Sequence, residues 1–170
     1  MNIRLKISAA ALGLAAVLTA CKVTYSLSGA SIAPEIQTVT INYFQNNAAL
    51  VLPSLSQTLT ETLQDRFIRQ TRLNVVRENG DMNFEGEITN CTSTPSSISG
   101  EEYAIMNRLS VTVRVRFTNA VQPEYNYDKS FTAYQDYPSE QLLQSVEGSL
   151  IPEIVDQLVE DIFNAAVSNW

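Results

Sequence analysis

The sequence predicts an α/β (α+β) fold: a two-layer sandwich in which a mixed sheet of about four to five strands carries two helices on one face, in the order β-α-β-β-β-β-α. Three observations predict it. Across residues 109–118, Leu109, Val111, Val113, Val115 and Phe117 alternate with polar residues, the two-residue period of a strand with one buried face. Two stretches, 55–68 and 142–167, repeat apolar residues at three- and four-residue spacing, the mark of one-sided helices. Short turn-forming segments separate the strand-like runs between those helices, so these strands are expected to be antiparallel neighbours. The second sheet face is then left open, and an open face must be polar or covered by a partner.

Residues 1–20 read as a signal peptide. Arg4 and Lys6 precede an apolar run that ends in small residues. The uncharged part, 7–20, is shorter than the roughly 20 residues needed to cross hydrocarbon. Leu18-Thr19-Ala20-Cys21 resembles a bacterial lipobox. In such signals the cysteine sulfur takes a diacylglycerol, cleavage falls just before it, and the new amine is acylated. Two or three chains anchor stably where one does not. Residues 21–36 then form a lipidated N-terminus and tether, and 37–170 a single domain. Lys22, with no acidic run after it, resembles signals that retain a lipoprotein on the periplasmic face of the outer membrane.

Within the domain, 38–44 alternates as a strand and Asn46-Asn47 should break it. Pro53 and Ser54 open the first helix, with Ser54 and Gln57 spaced as a capping box. Leu55, Leu59, Leu63 and Phe67 form its apolar stripe, and it should end near Thr71. Residues 73–76 read as a short strand, Asn79-Gly80-Asp81 as a tight turn, and 82–92 as a strand containing Cys91. Serine, threonine and Pro95 make 92–100 a loop or hairpin tip. After the 109–118 strand, 119–124 turns and 125–134 forms a strand with Phe131 and Ala133 inward. The last helix opens at Pro138-Ser139, and Pro152 should kink or break it after Gly148 by removing one hydrogen bond.

Composition excludes several function classes. The 170 residues hold 11 Lys plus Arg, 18 Asp plus Glu and no histidine. A net charge of −7, or −9 once Arg4 and Lys6 are removed, argues against nucleic acid as a partner. Lack of histidine removes the commonest metal ligand and neutral-pH base, and two cysteines build neither a disulfide framework nor a structural zinc site. No metal or cofactor is expected. After processing Cys91 is the only thiol, a small buried hydrophobe with no base to activate it. Glu85 and Glu87 point the same way from one strand; such a carboxylate pair could serve glycoside hydrolysis, but a solvated strand face is much the simpler reading.

The cations are more informative. Arg108, Arg114 and Arg116 share parity and should line the open sheet face, with Arg114 and Arg116 about 7 Å apart; Lys129 on a neighbouring strand is expected to join them. Guanidinium groups pair bidentately with phosphates and carboxylates. The row reads either as a site for a phosphorylated glycolipid or an acidic partner wall, or as cross-strand partners of Glu85 and Glu87.

Several segments carry a family resemblance. The lipobox cysteine is followed by Tyr25-Ser26-Leu27-Ser28-Gly29, a helix from Pro53, then Gly80-Asp81-Met82-Asn83-Phe84-Glu85-Gly86-Glu87-Ile88. Residues 107–119 and the closing stretch 157–170 continue the pattern. The chain resembles the LptE-type lipopolysaccharide-assembly lipoproteins, in the branch found in Bacteroidetes. That resemblance implies a sheet with two helices against it and no catalysis. It implies an outer-membrane lipoprotein that sits in the LptD β-barrel translocon, assists its assembly, helps deliver lipopolysaccharide to the outer leaflet and contacts the lipid through basic residues; by chemistry, Arg108, Arg114, Arg116 and Lys129 are the candidates for that contact. The alternative is a periplasmic lipid-binding or transport-auxiliary lipoprotein without a barrel partner, which needs an apolar cavity beneath the helices.

Overall fold

The computed structural model describes residues 32–97 and 105–167. The signal segment, Cys21 and the residues around Gly100 lie outside these. The elements are β1 (Thr38–Ile41), β2 (Gln45–Asn46), α1 (Leu55–Gln70), β3 (Asn74–Val76), β4 (Met82–Ser97), β5 (Ile105–Asn119), β6 (Tyr127–Pro138) and α2 (Leu143–Val167). They form one six-stranded mixed sheet in the order β3-β1-β4-β5-β6, with β2 added alongside β4. The predicted architecture holds, in a somewhat larger sheet. Ahead of β1, Ile32 and Ile36 are buried in the core.

Strands β4, β5 and β6 form the expected antiparallel meander. β3 and β4 depart from expectation: β1 lies between them and runs parallel to both. Residues 77–81 alone carry the chain across, where parallel crossovers usually need a dozen or more. This is possible because the segment lies directly over the polar side of β1. The Gly80 N–H donates to Thr40 Oγ1 at 3.0 Å and the Asp81 N–H to Thr38 Oγ1 at 2.9 Å. A Cβ at Gly80 would sit 2.6 Å from the Thr40 backbone nitrogen, and Asn79 takes the left-handed φ of 56° that asparagine tolerates.

The Asp81 carboxylate accepts the backbone N–H groups of Gln37 and Thr38, both at 2.9 Å, and the Thr38 hydroxyl at 2.8 Å. These bonds, the Gln37 N–H foremost, hold its carboxyl below the usual 3.8. A carboxyl lowered by folding adds stability that is complete above its unfolded value, about 3.9, and is lost as pH falls through the folded one. Thermal melts should therefore lose midpoint below about pH 4, and Asp81→Asn should flatten that loss. An unchanged acid limb in the variant would show that this strap does not govern it.

The core fills the space between sheet and helices. Phe84 of β4 stacks on Phe67 of α1 and Phe117 of β5, at ring-centroid distances of 5.1 and 4.8 Å. Phe67 also meets Phe163 of α2 at 5.0 Å. In α1 the capping box does not form: Ser54 has helical backbone angles (φ −84°, ψ −16°) and no side-chain cap, whereas a capping side chain needs an extended residue. α2 runs without a break through Pro152. Pro152 removes one bond, but Leu150, Ile151, Ile154 and Val155 around it are buried and hold the helix to the sheet; Gly148 has open space where a side chain would stand. The segment expected as a loop from Thr92 extends β4 to Ser97, paired with β5 as far as Ile105.

Candidate functional site

Both helices cover one sheet face; the other is open except where residues 77–81 lie over β1. Across it, register sets Glu85 opposite Arg116 and Arg116 opposite Asp128, Glu87 opposite Arg114 and Arg114 opposite Ser130. Farther along stand Asn90, Thr112 and Thr132, then Thr92, Ser110 and Tyr134, then Thr94, Arg108 and Asp136. No aliphatic residue or phenylalanine interrupts these rows.

The structure brings Arg108, Arg114 and Arg116 onto this face as parity predicts. Their partners are aspartates of β6. Arg108 holds Asp136 bidentately at 2.7 and 2.9 Å, with its guanidinium 3.8 Å over the Tyr134 ring. Arg114 holds Asp128 bidentately at 2.8 and 2.9 Å, and Arg116 reaches the same aspartate at 3.6 Å. The hydrogen bonds lower both aspartate carboxyls below 3.8 and raise both bidentate guanidiniums above their ordinary value. Glu85 and Glu87 are held by amides: Asn83 donates to Glu85 at 3.0 Å and Asn47 to Glu87 at 2.6 Å.

Lys129 does not join the row. It stands opposite Val115, so it leaves the sheet on the helix side, with its ammonium 5.2 Å from the Tyr127 ring. Odd residues of β6 pair with odd residues of β5, and the polar face belongs to the even ones. Sequence reasoning missed Asp128 and Asp136 for the same reason: finding them requires the β5–β6 register. That register is set by a turn in which Asn119 accepts the N–H groups of Val121 and Gln122, and Asn126 accepts that of Asn119.

Beside the arginines lies a groove of about 410 Å³. The chain around β2 supplies Asn42, Tyr43 and Asn47; the sheet supplies Glu85, Glu87, Arg114, Arg116 and Asp128. Cys91 is elsewhere, buried in the core with its thiol pushed up to about 11 by desolvation, which keeps it protonated. Among the described residues no group of three His, Cys, Asp or Glu could hold a metal ion, and no helix is long and apolar enough to cross a membrane.

A search of curated proteins found no match. Among solved structures, a hypothetical protein from Chlamydia trachomatis superposes with a TM-score of 0.54 at 13% identity, over 75% of this chain and 93% of that one; the likeness is one of fold. A minor lipoprotein from Acinetobacter baumannii aligns over 75% of this chain and 90% of that one, at 13% identity and a TM-score of 0.47. The family model for LptE, lipopolysaccharide assembly, matches residues 36–166, from just before β1 almost to the end of α2. The chain belongs to the LptE lipopolysaccharide-assembly family.

Proposed function

We propose that this chain is a non-enzymatic outer-membrane lipoprotein, anchored through Cys21 on the periplasmic face, that plugs and assists assembly of an LptD-type β-barrel and helps insert lipopolysaccharide in the outer leaflet. Family membership supports the lipopolysaccharide-assembly role. The observation that carries the barrel is the open sheet face, polar along the rows from Glu85, Arg116 and Asp128 to Thr94, Arg108 and Asp136, with its arginines paired to aspartates. Outer-membrane barrel lumens are polar. A face whose Arg108 and Arg114 hold bidentate aspartate partners can seat there with those charges neutralised in pairs. A lipid carrier without a barrel has less support, because the rings of Phe67, Phe84, Phe117 and Phe163 occupy the space beneath the helices where acyl chains would lie.

On this reading Arg114 and Arg116, with Arg108 farther along, contact the lipopolysaccharide. Arg116 is the freest, 60% exposed at its side chain. Affinity capture of the tethered chain from detergent-solubilised envelopes should recover an outer-membrane barrel; recovery as a lone monomer overturns the proposal. Arg114→Ala with Arg116→Ala should weaken lipopolysaccharide binding about tenfold, the scale of one charge-assisted hydrogen bond, while the melting midpoint stays near wild type. Unchanged affinity would remove these arginines from the site.

A further inference from the structure

We propose that the groove beside Tyr43 is a saccharide site, which recognises the hydroxyl-rich sugars of the glycolipid in preference to its phosphates. The proposal rests on the lipopolysaccharide-assembly reading and names what this face takes hold of.

Charge is the first argument. The groove sets Glu85, Glu87 and Asp128 against Arg114 and Arg116, a formal excess of one negative charge. Asp128 already fills the fork of Arg114. A phosphate would have to displace that carboxylate and then stand beside two glutamates, and like charges brought together are unfavourable.

The second argument is the supply of hydrogen-bonding groups. Glu85 and Glu87 each spend one carboxylate oxygen on an asparagine amide, and among the described residues the other oxygen of each has no partner. Arg116 stands nearby with a long, 3.6 Å link to Asp128. Unspent acceptors and donors therefore lie side by side. A hydroxyl offers one donor and two acceptor lone pairs and suits both; a phosphate dianion offers acceptors only.

Shape agrees. Tyr43 is 58% exposed at the groove's edge and presents a broad flat ring, against which the C–H face of a pyranose can lie while its hydroxyls turn to the polar wall. The volume is within the roughly 300–1,000 Å³ usual for small-molecule sites. A second hollow of about 420 Å³, toward the crossover segment, shares Asn42 and Glu85 with the first. The two hollows flank the hydrogen-bonded side chains of Asn42, Asn83 and Glu85, so a second ring has a polar place to stand beside the first.

The test is calorimetric titration of the full chain in detergent. One probe is lipopolysaccharide carbohydrate that has been deacylated and dephosphorylated; the others are phosphorylated diglucosamine and inorganic phosphate. The dephosphorylated sugar should bind, with affinity changing less than about twofold between roughly 50 and 500 mM salt, since no net ion pair is formed. Tyr43→Ala should weaken it about tenfold, and Glu87→Gln should weaken it as well. Binding of the phosphorylated probes alone, falling steeply with salt, would overturn the proposal. So would equal sugar affinity in wild type and Tyr43→Ala. Barrel capture separates the two readings: sugar binding by a chain that captures no barrel sinks the plug and leaves the saccharide site standing, whereas barrel capture without sugar binding does the reverse.

Discussion

Replacing Phe67 by alanine should destabilise the fold by about 3–5 kcal/mol. The ring is fully buried near the end of α1 and touches Phe84 of the sheet and Phe163 of α2, so it joins three elements. Its removal leaves a void bounded by aromatic rings on separate rigid supports, which cannot all close in together. Where a site cannot collapse, the cavity adds to the lost transfer energy and the cost falls at the upper end. A domain of this size has about 5–15 kcal/mol in total, so the urea midpoint should drop sharply with little change in slope. Phe67→Leu, which keeps much of the volume, should lose far less. Similar midpoints for the two variants would mean that this ring does not join the layers.

Gly86→Ala should lose about 3 kcal/mol, the upper end for an overpacked core, although it adds one methyl group. Gly86 lies on the helix side of β4, opposite Val115. A Cβ there would run into the ring of Phe44 and the carbonyl oxygen of Arg114. The ring is fully buried and the carbonyl belongs to the neighbouring strand, so neither can step aside without disturbing the ladder. Adding Phe44→Ala should make the pair less damaging than the sum of its parts, because the second change clears the space that the first needs. Wild-type stability in the single variant, or strict additivity in the pair, would refute this account.

The layers were legible in the sequence wherever burial leaves a period. The odd-numbered apolar residues of β5 declare both faces of the sheet, and the stripe from Leu55 to Phe67 declares α1. The placement of Arg108, Arg114 and Arg116 follows from the same parity. What crosses between strands was not legible. A shift of one residue moves a side chain through the sheet, and the β5–β6 register depends on hydrogen bonds of Asn119 and Asn126 that periodicity does not express. Lys129 was therefore grouped with the arginines, and Asp128 and Asp136 were overlooked. The distal part of β4 escaped for another reason: Thr92, Ser93, Thr94 and Pro95 are all exposed, so no apolar alternation marks them as strand. The insertion of β1 between β3 and β4 joins residues some 40 positions apart, a distance over which local pattern is silent.

The position of β1 also bears on mechanics. Among the described residues it is the first strand, and it runs parallel to a neighbour on either side. A tug delivered at its leading end acts along the strand, so the bonds to both neighbours are sheared together instead of peeling open one by one. Residues 77–81 lie across it like a clasp. Load entering at that end would meet both ladders at once, and the sheet would resist it in shear before any strand peels away.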